Sequence, residues 1–486
     1  MTKTDAIDGL KPELFWRCFA EISRIPRPSG HEEGIARFIL GRAAQLGLEA
    51  GQDECGNVLV RKPASPGREG APPVCLQSHL DMVCEKNAGK VHDFMVDPIE
   101  LVRDGNVVTA NGTTLGADNG AGVATSLAIM EDRSLEHGQL EMLFTLEEET
   151  GLKGALGLDG NLIQSRILLN LDSEDEGVVF IGCAGGKDTL GKWQLACDDA
   201  SADMIPVDIT VKGLKGGHSG LEIDKELGNA IKILNRALLR LSEIGGRIST
   251  IEGGNMRNAI PRECSAVVYL PKAKLDEARS LVSSLNAIFQ AELSAVDPGF
   301  LLAMSQSKAG NGKLFQAALQ QRILLTIAAL PTGVQHMSMD IRGLVETSTN
   351  VSVISTRGDQ LVLITSQRSS VATRLSEVVE SVESIFRLGG AAVEGSSGYP
   401  GWKPDINSGI LGVAKRCYQS LFGKEVEVTA VHAGLECGII GERVPGMDMI
   451  SFGPSLHGVH SPDEVIYIDS VQRYWDFLLE ILSSVR

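Results

Sequence analysis

Carboxylates and imidazoles recur along this 486-residue chain at spacings that suit a metal centre. His79 and Asp81 stand two apart in HLDMV, Asp118 lies in TLGADNGAG, and Glu147, Glu148 and Glu149 run consecutively just before Gly151. Asp172 follows in NLDSEDEG, and His460 comes far downstream in HGVHSPDE. Hard oxygen donors mixed with imidazole suit zinc, manganese or cobalt. Each residue also has a plainer reading: a lone strand histidine is usually core or surface, Asp118 could cap the helix after it, and an acidic run is usually a solvated face. The spacings favour the chemical reading. Residues two apart on a strand share a face, so the Asp81 carboxylate can hold the second nitrogen of the His79 imidazole. Three acids closing an apolar strand repel one another unless a cation relieves them. The glycines around Asp118 leave room for a backbone that must pass close to a metal pair, and His460, set between Gly458 and Pro462, has little to pack against.

The elements that must carry these groups alternate. Apolar residues at helical spacing predict helices over residues 12–25 and again after Ser29, the second with acids in its first turn. GNVLVRK and PPVCLQSHLDMV read as strands, the latter with His79 and Asp81 at its C-terminal end. A helix over residues 121–131 follows the Asp118 loop. QLEMLFTLEEETG and RILLNLDSED are strands that deliver the Glu run and Asp172. This alternation predicts a doubly wound α/β domain, in which ligands collect beyond the carboxyl ends of the strands. From about Met204 the texture becomes α+β: strands in IPVDITVKGL and CSAVVYL, and helices in GNAIKILNRALLRL and over residues 275–293. A second similar pass holds two strands joined at Gly358-Asp359 and a helix ending at a glycine cap. We therefore expect a catalytic domain built from residues 1–186 and 397–486. Residues 187–396 would form an inserted α+β lid, read as two related modules on pattern alone.

Composition narrows the class. A chain of this length exceeds one core. The net charge of −17 and the lack of a Lys/Arg stripe argue against nucleic acid as a partner. Nine cysteines without paired CxxC spacing fit a reducing compartment. The acidic start lacks the features of a signal peptide, and no uncharged apolar run reaches membrane-spanning length. The expectation is a soluble cytoplasmic protein with neither membrane nor nucleic-acid partners.

Taken in order, HLDMV, TLGADNG, EEETG, NLDSED, GLKGGHSG, NAIPRE, HAGLECG and GPSLHGVHSPDE resemble the aminoacyl-histidine dipeptidases, dizinc metallopeptidases related to aminoacylases and carnosinases. The resemblance covers nearly the whole chain. It implies two zinc ions, with cobalt or manganese as substitutes. Asp118 would bridge the pair, His79 and Asp172 would complete one site, and Glu149 and His460 the other. Asp81 would orient His79, and Glu148 would be the general base that moves a proton from the attacking water to the leaving amine. The choice between Glu148 and Glu149 rests on alignment to Gly151, with Glu147 the departure that confuses it; only a turn beginning there would let both side chains reach the metals. In the lid, His218 of GGHSG would stabilise the tetrahedral oxyanion. Asn258 and Arg368 would contact substrate, Arg368 through its C-terminal carboxylate. His432 and Glu436 would lie on the catalytic side near the substrate. In smaller relatives the oxyanion histidine reaches across a dimer, whereas a doubled lid would supply it within one chain, so a homodimer stays open.

The implied activity is hydrolysis of Xaa-His and similar short dipeptides. An N-acyl amino acid deacylase or broader dipeptidase is the alternative on the same scaffold. A dipeptide- or metal-sensing protein is the non-enzymatic one, disfavoured because a sensor needs no proton shuttle.

Overall fold

The computed structural model describes residues 6–486. The chain forms two compact units. The first runs to Gly182 and resumes over Trp402–Ala430 and Leu435–Arg486; the second is Cys183–Gly401 with Val431–Gly434.

The first unit is an α/β layer structure around an eight-stranded sheet. Its four central strands, Leu140–Thr145, Val74–His79, Ile167–Asn170 and Asp448–Ser451, are parallel neighbours. Antiparallel strands flank them, among them Val58–Lys62 and Val178–Cys183. The central strands Val74–His79 and Leu140–Thr145 are buried at every residue, as strands covered on both faces must be. Their register decides what reaches the sheet edge. His79 pairs with Thr145 and Gln77 with Asn170, so Asp81, the Glu run and Asp172 all emerge just past the same carboxyl-terminal edge. The helix Ala117–Glu131 begins there. It is interrupted at Asp118 and Asn119, whose backbones are not helical, so the regular helix starts one residue before the position the sequence pattern predicts. Among the described residues no helix is long and apolar enough to cross a membrane.

The second unit is built on a nine-stranded antiparallel sheet. The two passes seen in the sequence meet within it, where Glu252 and Gly253 pair with Ser355 and Ile354. The helices Ala230–Glu243, Leu275–Leu293, Ala317–Ala329 and Ala372–Leu388 cover it, and one apolar core that includes Leu234, Phe289, Phe300, Ile354 and Phe386 serves both passes. The strands Val345–Arg357 and Gln360–Ser369 turn at Gly358, whose φ of +61° suits glycine.

Candidate functional site

The first unit gathers His79, Asp81, Asp118, Glu148, Glu149, Asp172 and His460 at the edge described above. His79 Nε2 lies 3.0 Å from Asp118 Oδ1 and 3.3 Å from Asp172 Oδ1. His460 Nε2 lies 3.1 Å from both Asp118 Oδ2 and Glu149 Oε2. The two oxygens of Asp118 thus face different histidines, one from each end of the chain. Donor atoms of His79, Asp118 and Asp172 lie within 4.8 Å of one another, as do those of Asp118, Glu149 and His460, and those of His79, Glu148 and Glu149. Atoms sharing one tetrahedral zinc stand roughly 3.3 Å apart, so the donor set and its spacing fit a pair of cations.

Local backbone explains how consecutive acids converge. The strand ends at Thr145, and Glu147 takes a left-handed φ of +48°. That is the turn an alternating strand would need. Glu147 itself faces away, held by Lys153 and by the Thr150 hydroxyl. Asp81 fixes the other two: its carboxylate accepts the amides of Glu148 at 3.0 Å and Glu149 at 3.2 Å, and the Ser29 hydroxyl at 2.7 Å. His79 Nδ1 approaches Asp81 Oδ1 at 3.2 Å, close enough for an ion pair but off-line as a hydrogen bond.

The electrostatics are those of a site built for added positive charge. Burial would neutralise His79, yet Asp172, Asp118 and Asp81 outweigh it and hold the imidazole's pKa well above its ordinary value. Hydrogen bonds to Asp118 and Glu149 push His460 up to about 11. Burial, reinforced by neighbouring carboxylates, raises Glu148, Glu149 and Asp172. Asp118 is lowered despite burial, because His460 and His79 both bond to it. Asp81 falls to about 2: burial opposes this, but His79 and Ser29 prevail. One oxygen of Glu149, Oε1, is buried without a hydrogen-bond partner. Deep carboxylates this crowded need protons or metal ions to coexist.

The sequence reading set Glu436 near the substrate and did not foresee its partners Gln77 and Thr145. Glu436 is fully buried beneath the cluster, where its Oε2 accepts Gln77 Nε2 and Thr145 Oγ1, each at 2.6 Å. Gln77 in turn accepts Asn170 Nδ2 at 2.5 Å. Gln77 had a readable signal, standing two before His79 on the same strand face. The glycines around Asp118 have a further reason in the packing of the loop. A Cβ at Gly116 would lie 2.6 Å from Arg27 Nη2, one at Gly120 2.8 Å from it, and one at Gly122 2.0 Å from Asn119 Oδ1. They make room for side chains packed against the loop.

The second unit holds His218, Arg368 and His432. His218 Nδ1 accepts the amides of Gly220 at 3.2 Å and Leu221 at 3.0 Å, which places the proton of the neutral ring on Nε2. Burial and Arg368 depress its pKa to about 4, so the ring is a neutral donor near pH 7. Arg368 is buried, donates through Nη1 to Tyr399 Oη at 3.1 Å, and leaves Nε without a partner. His432 bonds through Nε2 to Ser348 Oγ at 2.7 Å, and burial lowers it to about 3. The sequence reading placed His432 beside Glu436 on the catalytic side. Instead Val431–Gly434 groups with the second unit, because Ala184 donates its amide to the carbonyls of Val431 and Ala433, while Glu436 stays with the first. Asn258 joins through its backbone, its carbonyl accepting the Ser219 amide at 2.8 Å, and its side chain is exposed. Tyr399 and Ser348 carried no sequence signal.

With this geometry in hand, comparison with known proteins decides the family. The model of peptidase family M20/M25/M40 matches residues 75–484. The chain belongs to this family. It is 43% identical over 480 residues to the cytosol non-specific dipeptidase of Escherichia coli strain K12, covering 99% of each chain. It superposes on the crystal structure of the aminoacylhistidine dipeptidase from Vibrio alginolyticus with a TM-score of 0.91 and 41% identity, over 99% of this chain and 98% of that one. A tripeptidase from Staphylococcus aureus, 18% identical with a TM-score of 0.57, shares the fold over 98% of this chain and 99% of its own. The resemblance read from the motifs is met by these family members.

Proposed function

We propose that this M20-family protein is a cytoplasmic, two-metal dipeptidase that cleaves short dipeptides with a free amino end, Xaa-His among them. The observation that carries the reading is the placement of Asp118, whose two oxygens face His79 on one side and His460 on the other. His79 and Asp172 would hold one cation, and Glu149 and His460 the second, with Asp118 shared. Zinc suits this donor set, and cobalt or manganese would substitute. Bound there, the pair would polarise the scissile carbonyl and make water a nucleophile at neutral pH. The chain's own residues do the rest. Asp81 orients His79 and, through the amides of Glu148 and Glu149, the base beside it. Glu148, ligated by neither half of the centre in this assignment, takes the proton of the attacking water and returns it to the departing amine. His218 presents a neutral Nε2–H suited to a developing oxyanion. Arg368 and Tyr399 suit the substrate's terminal carboxylate, with Arg368 Nε still free to donate.

Breadth of specificity is a second reading, favoured by the name of the E. coli relative. Protein stripped of metal and reloaded with zinc, cobalt or manganese is assayed on carnosine, Gly-His, dipeptides lacking histidine, and N-acetyl amino acids. Dipeptide cleavage that returns with two metal equivalents is expected. Preference for the acetylated set, or full turnover in the stripped protein, would overturn the proposal.

A further inference from the structure

We infer that Arg27 and Glu464 form one buried positioning pair that sets the Asp118 loop against the strand end bearing His79 and Asp81, and that cation affinity depends on it. The inference rests on reading Asp118 as a metal ligand. Glu464 is 2% exposed and Arg27 3%. The Glu464 carboxylate accepts four consecutive backbone amides: Leu115 at 2.7 Å and Gly116 at 2.9 Å on Oε2, Ala117 at 2.7 Å and Asp118 at 3.2 Å on Oε1. From the other side, Arg27 Nη1 donates to the carbonyls of Leu80 and Asp81, each at 3.0 Å, and Nη2 donates to the carbonyl of Gly116. Gly116 is gripped at both ends, its N–H by the acid and its C=O by the base.

The pair ties three segments together. Arg27 fixes the chain just after His79. Glu464 fixes the amide of Asp118, and it stands four residues beyond His460, in a turn closed by its own amide on the Ser461 carbonyl at 3.1 Å. The site's histidines, from opposite ends of the sequence, are thereby set relative to the carboxylate they share. Burial disfavours both charges, lowering Arg27 and raising Glu464; among its neighbours Glu464 is the leading support of the Arg27 charge. A loop could be pinned by neutral groups at smaller desolvation cost. A carboxylate, however, gathers four donors on its two oxygens, more than a single amide oxygen can accept.

The test uses the full-length protein. Glu464→Gln keeps the size but turns an NH2 group toward backbone amides that need acceptors. Arg27→Lys keeps the charge but loses the fork. Metal affinity is read by chelator competition, the cobalt-loaded centre by its visible spectrum, and kcat and KM on Gly-His. We expect Glu464→Gln to bind metal about 10- to 100-fold more weakly. Its cobalt spectrum should be altered, and at saturating metal kcat should fall while KM stays within about twofold. Wild-type affinity and spectrum in Glu464→Gln would overturn the inference. If that variant does not fold, Arg27→Lys decides, with about fivefold or greater weakening expected and unchanged affinity contradicting. Asp118→Asn separates the two readings: a variant that keeps its full metal content refutes the proposed centre. Loss of metal in Asp118→Asn beside a wild-type-like Glu464→Gln refutes the positioning pair alone.

Discussion

Glu148 sits among three acids, and its backbone, more than its composition, gives it a separate task. Glu147 turns the chain and leaves with Lys153, Glu149 faces His460, and Glu148 stays partly buried, its donor oxygen grouped with those of His79 and Glu149 and not with that of Asp118. Glu148→Gln should therefore keep its metal content, measured by elemental analysis, while kcat falls by about 10²- to 10⁴-fold. Undiminished turnover would remove it from the mechanism. At this scale the sequence was informative wherever spacing encodes geometry. His79 closes its strand and Asp81 follows two residues on, and Asp172 falls level with His79 through the register of neighbouring strands. It was silent on Arg27 and Glu464. Buried charges satisfied by backbone groups leave no periodic trace, since their partners are amides and carbonyls that every residue carries.

Between residues and fold, the glycines mark where elements pack too closely for a side chain. Gly116 has a φ of +70°, and a Cβ there would lie 2.6 Å from Arg27 Nη2 and 2.8 Å from Met82 Sδ. Gly116→Ala should cost about 1–3 kcal/mol of stability. The contrasting change, Gly41→Ala on the exposed face of the helix Glu33–Leu46, meets nothing within 4 Å and should stabilise by up to about 1 kcal/mol. Thermal melts of the two variants check both signs; a neutral Gly116→Ala would mean that the loop relaxes. Periodic elements were readable: the helix Leu275–Leu293 falls on the predicted residues, and the hairpin turns at Gly358 as its sequence suggests. The strand Gly185–Gln194 was not, because glycine and lysine weaken its pattern. Gly191 is needed there: a Cβ would sit 2.2 Å from the Phe386 ring.

For the molecule as a whole, the neutral histidines of the second unit tie stability to pH. His218 and His432 are depressed to about 4 and about 3, chiefly by burial, against an ordinary value of about 6.5 in the unfolded chain. The unfolded chain thus binds protons that the folded one refuses. Their contribution is intact above about pH 6.5 and is lost as pH falls toward their folded values. A His432→Asn variant should show a shallower fall in Tm between about pH 6.5 and 4 than the parent protein, followed by circular dichroism; identical slopes would mean that His432 titrates alike in both states. The division into units was only partly readable from sequence. Texture marks the α+β stretch, but the return of Val431–Gly434 rests on a few local bonds, backbone ones to Ala184 and one from His432 to Ser348.

The most direct check of the shared carboxylate is a crystal of the metal-loaded protein measured at the metal's absorption edge. Two anomalous peaks about 3.5–4 Å apart are expected, one on each oxygen of Asp118, the first touched by His79 and Asp172 and the second by Glu149 and His460. A single peak, or a pair that leaves Asp118 untouched, would contradict the two-metal dipeptidase.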